Sequence, residues 1–368
     1  MINTNTDWKV FLSYFPSNWE RLARDTGALH RLRGFSDVES MLRTLLLHVA
    51  CGYSLRETVA KAKLAGLSDV SDVTLMNRLR GSEAWFNELN RELMSEVKLS
   101  QPKILKGVTM RLIDATVVKE PGVTGSQWRV HYSISLPDLR CDFFKLTPSV
   151  GAGAAESYSK IPINKGDCLM GDRGYSSANG IFYVYKNKGH VIVRFNPNGL
   201  NIYDEKRKKI DLLKDLKNLE VGQYYERTVL LKDPDSENNF IKARICSLRK
   251  SEGAARISLD KLIKTTKRKH NALPRESTCE YTKYFMVLTT LSAKKLSTSE
   301  VLEWYRLRWQ IEISFKRLKQ LVRFSHLPKT DDRSARAWIQ AKLFVGLMTE
   351  KIIFTAKFIS PWGYETIK

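Results

Sequence analysis

Cysteine is scarce in this 368-residue chain and is not arranged for structural work. The five cysteines (Cys51, Cys141, Cys168, Cys246 and Cys279) are odd in number, scattered, and form no C-x-x-C pair. That argues against a disulfide framework and against a zinc site, and fits a reducing, cytoplasmic setting. Long apolar runs are missing as well. The most apolar late stretch, Leu343 to Met348, is six residues long before Glu350 and Lys351 interrupt it. It cannot span a bilayer, so no membrane partner is expected. The start, MINTNTDWKVFLSYF, lacks a basic segment followed by an apolar run, and no signal peptide is expected. A glycine-rich nucleotide loop is incomplete: Gly151 and Gly153 have no third glycine, because Glu156 takes its place. No internal repeat or low-complexity segment is present.

Acidic residues are in short supply relative to basic ones. Sixty-one Lys and Arg against 39 Asp and Glu leave a net charge of +22. A field of that sign favours a polyanion, and nucleic acid is the commonest one; a merely basic surface is the bland alternative. Residues 1–104 carry 14 basic and 12 acidic side chains, so nearly all the excess lies beyond them. Phosphate neutralisation is therefore expected from the centre and the C-terminal part.

Four regions follow from the patterning. Residues 1–104 read as an all-α domain. Apolar positions after Ser36-Asp37 recur at helical spacing, and Ser54 with Glu57 has the spacing of a capping box. Further helices are expected from Ser71 to Arg80 and from Ser82 to about Met94. A turn between helices, with Arg78 and Arg80 on the later one, suits a DNA-reading helix-turn-helix, and suits equally a small bundle that binds nothing. Residues 105–199 switch to strands (Met110–Lys119, Trp128–Leu136, Cys141–Pro148), then a helix near Ala154–Lys160, a strand at Asp167–Met170, a helix over 176–188 and a strand at His190–Phe195. This predicts a mixed α/β sheet. Residues 200–296 read as a β-rich insertion with strands at Tyr224–Leu231, Phe240–Leu248 and Tyr284–Leu291, joined by polar, lysine-rich connections. Residues 297–368 contain a long helix from Ser297 to Leu321 and an apolar helix near Ala335–Thr355.

Three carboxylates stand where chemistry could use them. Asp114 lies inside a strand, in Leu-Ile-Asp-Ala-Thr, where an acid is costly to bury without a partner or a cation. Asp172 ends another strand in Gly-Asp-Arg-Gly-Tyr, where a turn could also satisfy it locally. Glu312 lies on the long helix. At about 100° per residue, Tyr305, Arg308, Glu312 and Lys319 fall within an arc of roughly 60° beside an apolar stripe of Leu307, Ile311, Phe315 and Leu318. A solvated row with an Arg308–Glu312 pair would produce the same pattern. Carboxylates without His or Cys companions suit oxygen-ligated Mg²⁺ or Mn²⁺. Two such ions about 3.5–4 Å apart are the arrangement for in-line attack at phosphorus. Arg308, Lys316 and Lys319 are then placed for DNA phosphates.

The row Y-x-x-R-x-x-x-E-x-x-x-x-x-x-K, matched here by Tyr305, Arg308, Glu312 and Lys319, resembles the signature of bacterial insertion-sequence DDE transposases. The segments around Asp114 (IDATVV) and Asp172 (GDRGYSS) resemble that family's other acid motifs, with 58 residues between the aspartates and 140 from Asp172 to Glu312. The resemblance covers residues 110–320. It implies an RNase H-like core interrupted by the β-rich insertion, with Asp114, Asp172 and Glu312 as the ligands of Mg²⁺ or Mn²⁺. It also implies that Tyr305, Arg308 and Lys319 contact the DNA backbone at the element ends. Arg173, Lys316, Arg78 and Arg80 complete the expected DNA contacts. Tyr284 stands where some members hold a flipped base during a hairpin step, although a Trp is the expected residue there. The implied reaction is cut-and-paste transposition on double-stranded DNA, from terminal inverted repeats to a target, by a synaptic homodimer. A nuclease without strand transfer, or a catalytically silent DNA-binding repressor, would share much of this pattern.

Overall fold

The computed structural model describes residues 4–95, 105–119, 127–136, 140–149, 156–309, 312 and 331–356. Six helices come first: α1 (Thr4–Leu12), α2 (Trp19–Asp25), α3 (Val38–Val49), α4 (Leu55–Leu64), α5 (Asp72–Gly81) and α6 (Glu83–Ser95). The starts of α3, α4 and α5 are chemically specified. Asp37 accepts from the Ser40 N–H at 2.6 Å, with Ser40 reaching back to close a capping box; Ser54 and Ser71 cap α4 and α5. The turn after α4 holds Gly66 at φ +66°, a conformation that suits glycine.

A mixed eight-stranded sheet follows: β1 (Thr109–Lys119), β2 (Gln127–Ser135), β3 (Arg140–Pro148), β4 (Asp167–Gly171), β5 (His190–Arg194), β6 (Tyr224–Lys232), β7 (Phe240–Arg249) and β8 (Tyr284–Thr289). The spatial order is β3-β2-β1-β4-β5-β8-β7-β6. β1, β4 and β5 run parallel, and the other neighbours are antiparallel. The strands of residues 200–296 therefore extend the same sheet through the β5–β8 pairing. Alternation of side chains buries both faces. Met110, Leu112, Met170, Ile192 and Val287 enter one core; Ile113, Leu169, Val191, Val193 and Leu288 enter the other.

The first core is roofed by the N-terminal helices, by α11 (Thr298–Arg306) and by the 25-residue α12 (Asp332–Ala356). α12 packs on α6, α5 and α3. A buried Asn90 amide donates to the Gln340 carbonyl at 3.0 Å, and Glu83 pairs with Arg336 at 2.7 Å. The second core is covered by α7 (Ala178–Lys186) and the short α8 (Leu212–Leu216). Across the sheet a buried cluster of one cation and two acids ties three strands together. Arg111, 3% exposed, pairs with Asp142 at 2.6 Å and Asp167 at 2.9 Å.

Three local expectations are corrected. One connection expected only to be polar and lysine-rich contains the 19-residue α9 (Glu252–His270), followed by α10 (Glu276–Tyr281). Among its residues only Ala255 is buried, so α9 lacks the apolar stripe that marks most helices; the Ser251 cap and a basic last turn compensate. The region near Ala154–Lys160 holds a single 3-10 turn at Tyr158–Lys160, and residues 150–155 lie outside the described set. The helix expected from Ser297 to Leu321 is interrupted. After α11 the Leu307 N–H donates to the Trp304 carbonyl and the Arg308 N–H to the Tyr305 carbonyl, tightening the chain into a three-residue turn. Among the described residues no helix is long and apolar enough to cross a membrane.

Candidate active site

Parallel pairing of β1 with β4 brings the two aspartates abreast. Thr109 pairs with Asp167, Met110 with Cys168 and Leu112 with Met170, each 58 residues apart. Asp114 and Asp172 keep that same offset, so they stand level where the paired strands end, on neighbours spaced about 4.8 Å apart. The Asp114 Oδ1 accepts from the Ala115 N–H at 2.8 Å. Burial pushes its carboxyl up to about 7; the Ala115 N–H and Arg308 work against this, while the charges of Asp172 and Glu156 add to it. Asp172 caps a 3-10 turn (Arg173–Tyr175), its Oδ1 accepting from the Gly174 N–H at 2.8 Å.

A third carboxylate at this centre was missed in the sequence. Glu156 is half-buried and pairs with Arg129 of β2 at 2.6 Å. Burial and the Asp172 charge hold it above the usual carboxylate range, against the pull of Arg129. No spacing rule pointed to it; it figured there only as the residue that spoils a glycine pattern.

The turn after α11 carries the next groups. Side chains three apart eclipse in such a turn, and the Arg308 guanidinium lies 5.9 Å from the centre of the Tyr305 ring. Tyr305 is 7% exposed and packs edge-on against Phe285. Arg308 forms an ion pair with Glu312, and its charge also reaches Asp114. The structure thus joins Asp114, Asp172, Tyr305 and Arg308 in one electrostatic unit, with Glu312 attached through Arg308. Lys316 and Lys319, with Ile311, Phe315 and Leu318, lie outside the described residues.

On the other side of Asp172 a cavity of about 380 Å³ has the opposite character. Arg173, Arg194, Lys250 and Lys261 line it, and no carboxylate does. Its wall from α9 is Ser258, Lys261, Leu262 and Thr265, one face of the helix. Burial, then the charges of Arg194 and Arg173, brings Lys250 down to about 8. Burial likewise brings Arg194 to about 10, and its guanidinium stacks on Phe285 at 4.0 Å. Tyr284 borders this cavity but is only 2% exposed, with its ring in the second core and its hydroxyl accepting from Arg249 at 3.3 Å.

The two N-terminal candidates are tied into the fold. Arg80 donates to Ser334 at 2.9 Å and pairs with Asp331 at 3.0 Å, joining α5 to the start of α12. Arg78 donates to the Arg31 carbonyl and lies over Phe35.

Residues 152–347 match the Transposase DDE domain family. This chain belongs to the DDE transposases. It is accordingly a transposase, an enzyme that acts on DNA. Over 356 residues it is 29% identical to the transposase for insertion sequence element IS421 of Escherichia coli, covering 95% of each chain. It is 22% identical to the transposase for IS231D of Bacillus thuringiensis subsp. finitimus, covering 92% of this chain and 77% of that one. The solved piggyBac transposase synaptic complex with hairpin DNA aligns at a TM-score of 0.46 and 8% identity, over 94% of this chain and 75% of that chain. That likeness is too distant to carry weight. The matched family segment contains Glu156, Asp172, Tyr305, Arg308 and Glu312, and begins after Asp114.

The donor set of this transposase fits a hard divalent cation: Asp114, Asp172, Glu156 and Glu312 offer only carboxylate oxygens. Repulsion among Asp114, Asp172 and Glu156 is what such an ion would relieve. Among the described residues no three His, Cys, Asp or Glu side chains stand together as a ready-made metal cluster, and Glu312 is held by Arg308.

Proposed function

We propose that this transposase nicks DNA at the terminal inverted repeats of an insertion sequence and joins the freed 3′-hydroxyl ends to target DNA. In this reading the sheet is an RNase H-like core, and Asp114, Asp172 and Glu312 are its cation-binding triad. The observation that supports it most is the level placement of Asp114 and Asp172 on adjacent parallel strands, with Arg308 and its partner Glu312 alongside. A pair of Mg²⁺ or Mn²⁺ ions, which Asp114, Asp172 and Glu312 would hold, would supply Lewis-acid stabilisation of the phosphodiester oxygens and activation of the nucleophile.

The chain's own groups orient the strand. Arg308, paired here with Glu312, would offer a planar fork of donors to a phosphate, and Glu312 would be among the residues that hold the cation. Tyr305 fixes Arg308 by stacking beneath it. Arg173, Arg194, Lys250 and Lys261 hold phosphates of the strand beyond Asp172, and Lys316 and Lys319 extend the contact along the backbone. The helices of residues 1–104 recognise the inverted repeats, and two copies of the chain bridge the two ends in a synaptic homodimer.

The test is cleavage of labelled DNA bearing the inverted repeats that flank the gene, with wild type and Asp114→Asn, in Mg²⁺ and in EDTA. Nicks at the repeat boundary that need Mg²⁺ and vanish in the variant are expected. Nicks that persist in Asp114→Asn would remove Asp114 from the triad. Binding without cleavage under every condition would favour a DNA-binding repressor.

A further inference from the structure

Glu156 is the place where this site departs from a three-acid centre. Its two oxygens have different surroundings. Oε1 accepts from the Arg129 guanidinium at 2.6 Å, which fixes the side chain against β2. Oε2 is turned toward the loop after Asp172. A Cβ placed on Gly174 would lie 3.0 Å from Glu156 Oε2 and 3.0 Å from Asp172 Oδ1. The two carboxylate oxygens are therefore no further apart than twice that distance, flanking a residue with no side chain. Any other residue at 174 would push into the space between them. Among the described residues no hydrogen bond reaches Oε2.

A carboxylate kept only to neutralise Arg129 has no reason to present its second oxygen to another half-buried acid, where like charges repel. We propose that Glu156 is a fourth carboxylate of the divalent-cation site, acting through Oε2 beside Asp172 while Arg129 holds Oε1 in place. The proposal rests on the cation-dependent reading given above. In that role Arg129 is a positioning residue, and Gly174 keeps the approach between the two acids open.

Mn²⁺ binding to the full-length protein without DNA, measured by calorimetry, separates the possibilities. Glu156→Gln should weaken Mn²⁺ binding by about tenfold or more. It should also raise the Mg²⁺ concentration needed for half-maximal nicking. Arg129→Met frees Oε1 but keeps the carboxylate and takes away a positive charge, so its Mn²⁺ affinity should fall clearly less than that of Glu156→Gln. A merely structural pair would make both variants weaken binding alike, and that result would overturn the proposal. Wild-type affinity in Glu156→Gln alongside weakened binding in Asp114→Asn would overturn it too, leaving Glu156 as the counterion of Arg129. Unchanged affinity in both would instead sink the cation reading of the whole site. Thermal unfolding of each variant checks folding. Should the Gln variant not fold, Glu156→Asp carries the same test: its shorter reach should weaken Mn²⁺ binding although its charge is kept, and full wild-type affinity would count against ligation.

Discussion

Asp172 and Arg173 are consecutive in the chain, yet they belong to sites of opposite sign. On one side Asp114, Glu156 and Asp172 feel one another's charge, and burial, with the charges of Asp172 and Glu156 adding to it, holds Asp114 at about 7. On the other, Arg173, Arg194, Lys250 and Lys261 line a cavity without an acid, and Lys250 falls to about 8. Each site gathers charge of one sign, even though Glu156 pairs with Arg129 and Lys250 donates to Ser258 and to the Thr282 carbonyl. The Arg111 cluster is the contrast: there a buried cation already has two acids, and it serves the fold alone. Charge of opposite sign gathered on the two sides of one turn is what the proposed reaction on a phosphodiester would use, with cations for the acids and phosphates for the bases.

The largest effect should come from the Arg111 cluster. Arg111→Met strands Asp142 and Asp167 without their counter-charge and should cost about 3–5 kcal/mol of stability, read by denaturant unfolding. A loss under 1 kcal/mol would show that the Arg111 cluster is no better compensated than the site. Next comes the basic cavity. Lys261→Glu should weaken DNA binding and lower the slope of log K against log salt by about one. An unchanged slope would take the cavity out of the phosphate path. Smaller still is a pH effect. Lys250 is charged below about 8 and neutral above it, so DNA affinity should fall as pH rises through that value. Lys250→Arg, which stays charged, should flatten the profile. The smallest effect is expected at Arg80, whose pair with Asp331 is partly exposed: Arg80→Ala should cost less than about 1 kcal/mol and leave DNA affinity nearly unchanged. A large loss of affinity would put α5 against DNA after all.

The readable parts of this molecule were those in which spacing and geometry coincide. Fifty-eight residues separate the two aspartates, and the same offset is the register of β1 against β4, so a sequence interval maps directly onto a strand pairing. Capped helices such as α3 and α4 were readable because Asp37 and Ser54 carry their own local signals. The strands of residues 200–296 were legible from alternation, but their joining to β5 through β8 was not, because pairing across the chain leaves no local mark. α9 escaped because a helix with one buried residue has no apolar period. The interruption at Leu307 escaped because α-helical spacing and a three-residue turn use the same residues. Glu156 was invisible for a different reason: its role depends on Gly174 and Arg129, contributed by two other segments.

The division of labour between the two sites is tested most directly by Asp172→Asn. Asn can still accept the Gly174 N–H, so the turn should survive. On one labelled inverted-repeat substrate, nicking in Mg²⁺ should fall at least about a hundredfold, several kcal/mol of lost charge stabilisation. DNA binding in EDTA should hold or tighten, because one negative charge beside the strand is gone. Equal loss of binding and nicking would contradict the account and make Asp172 a structural residue of the turn.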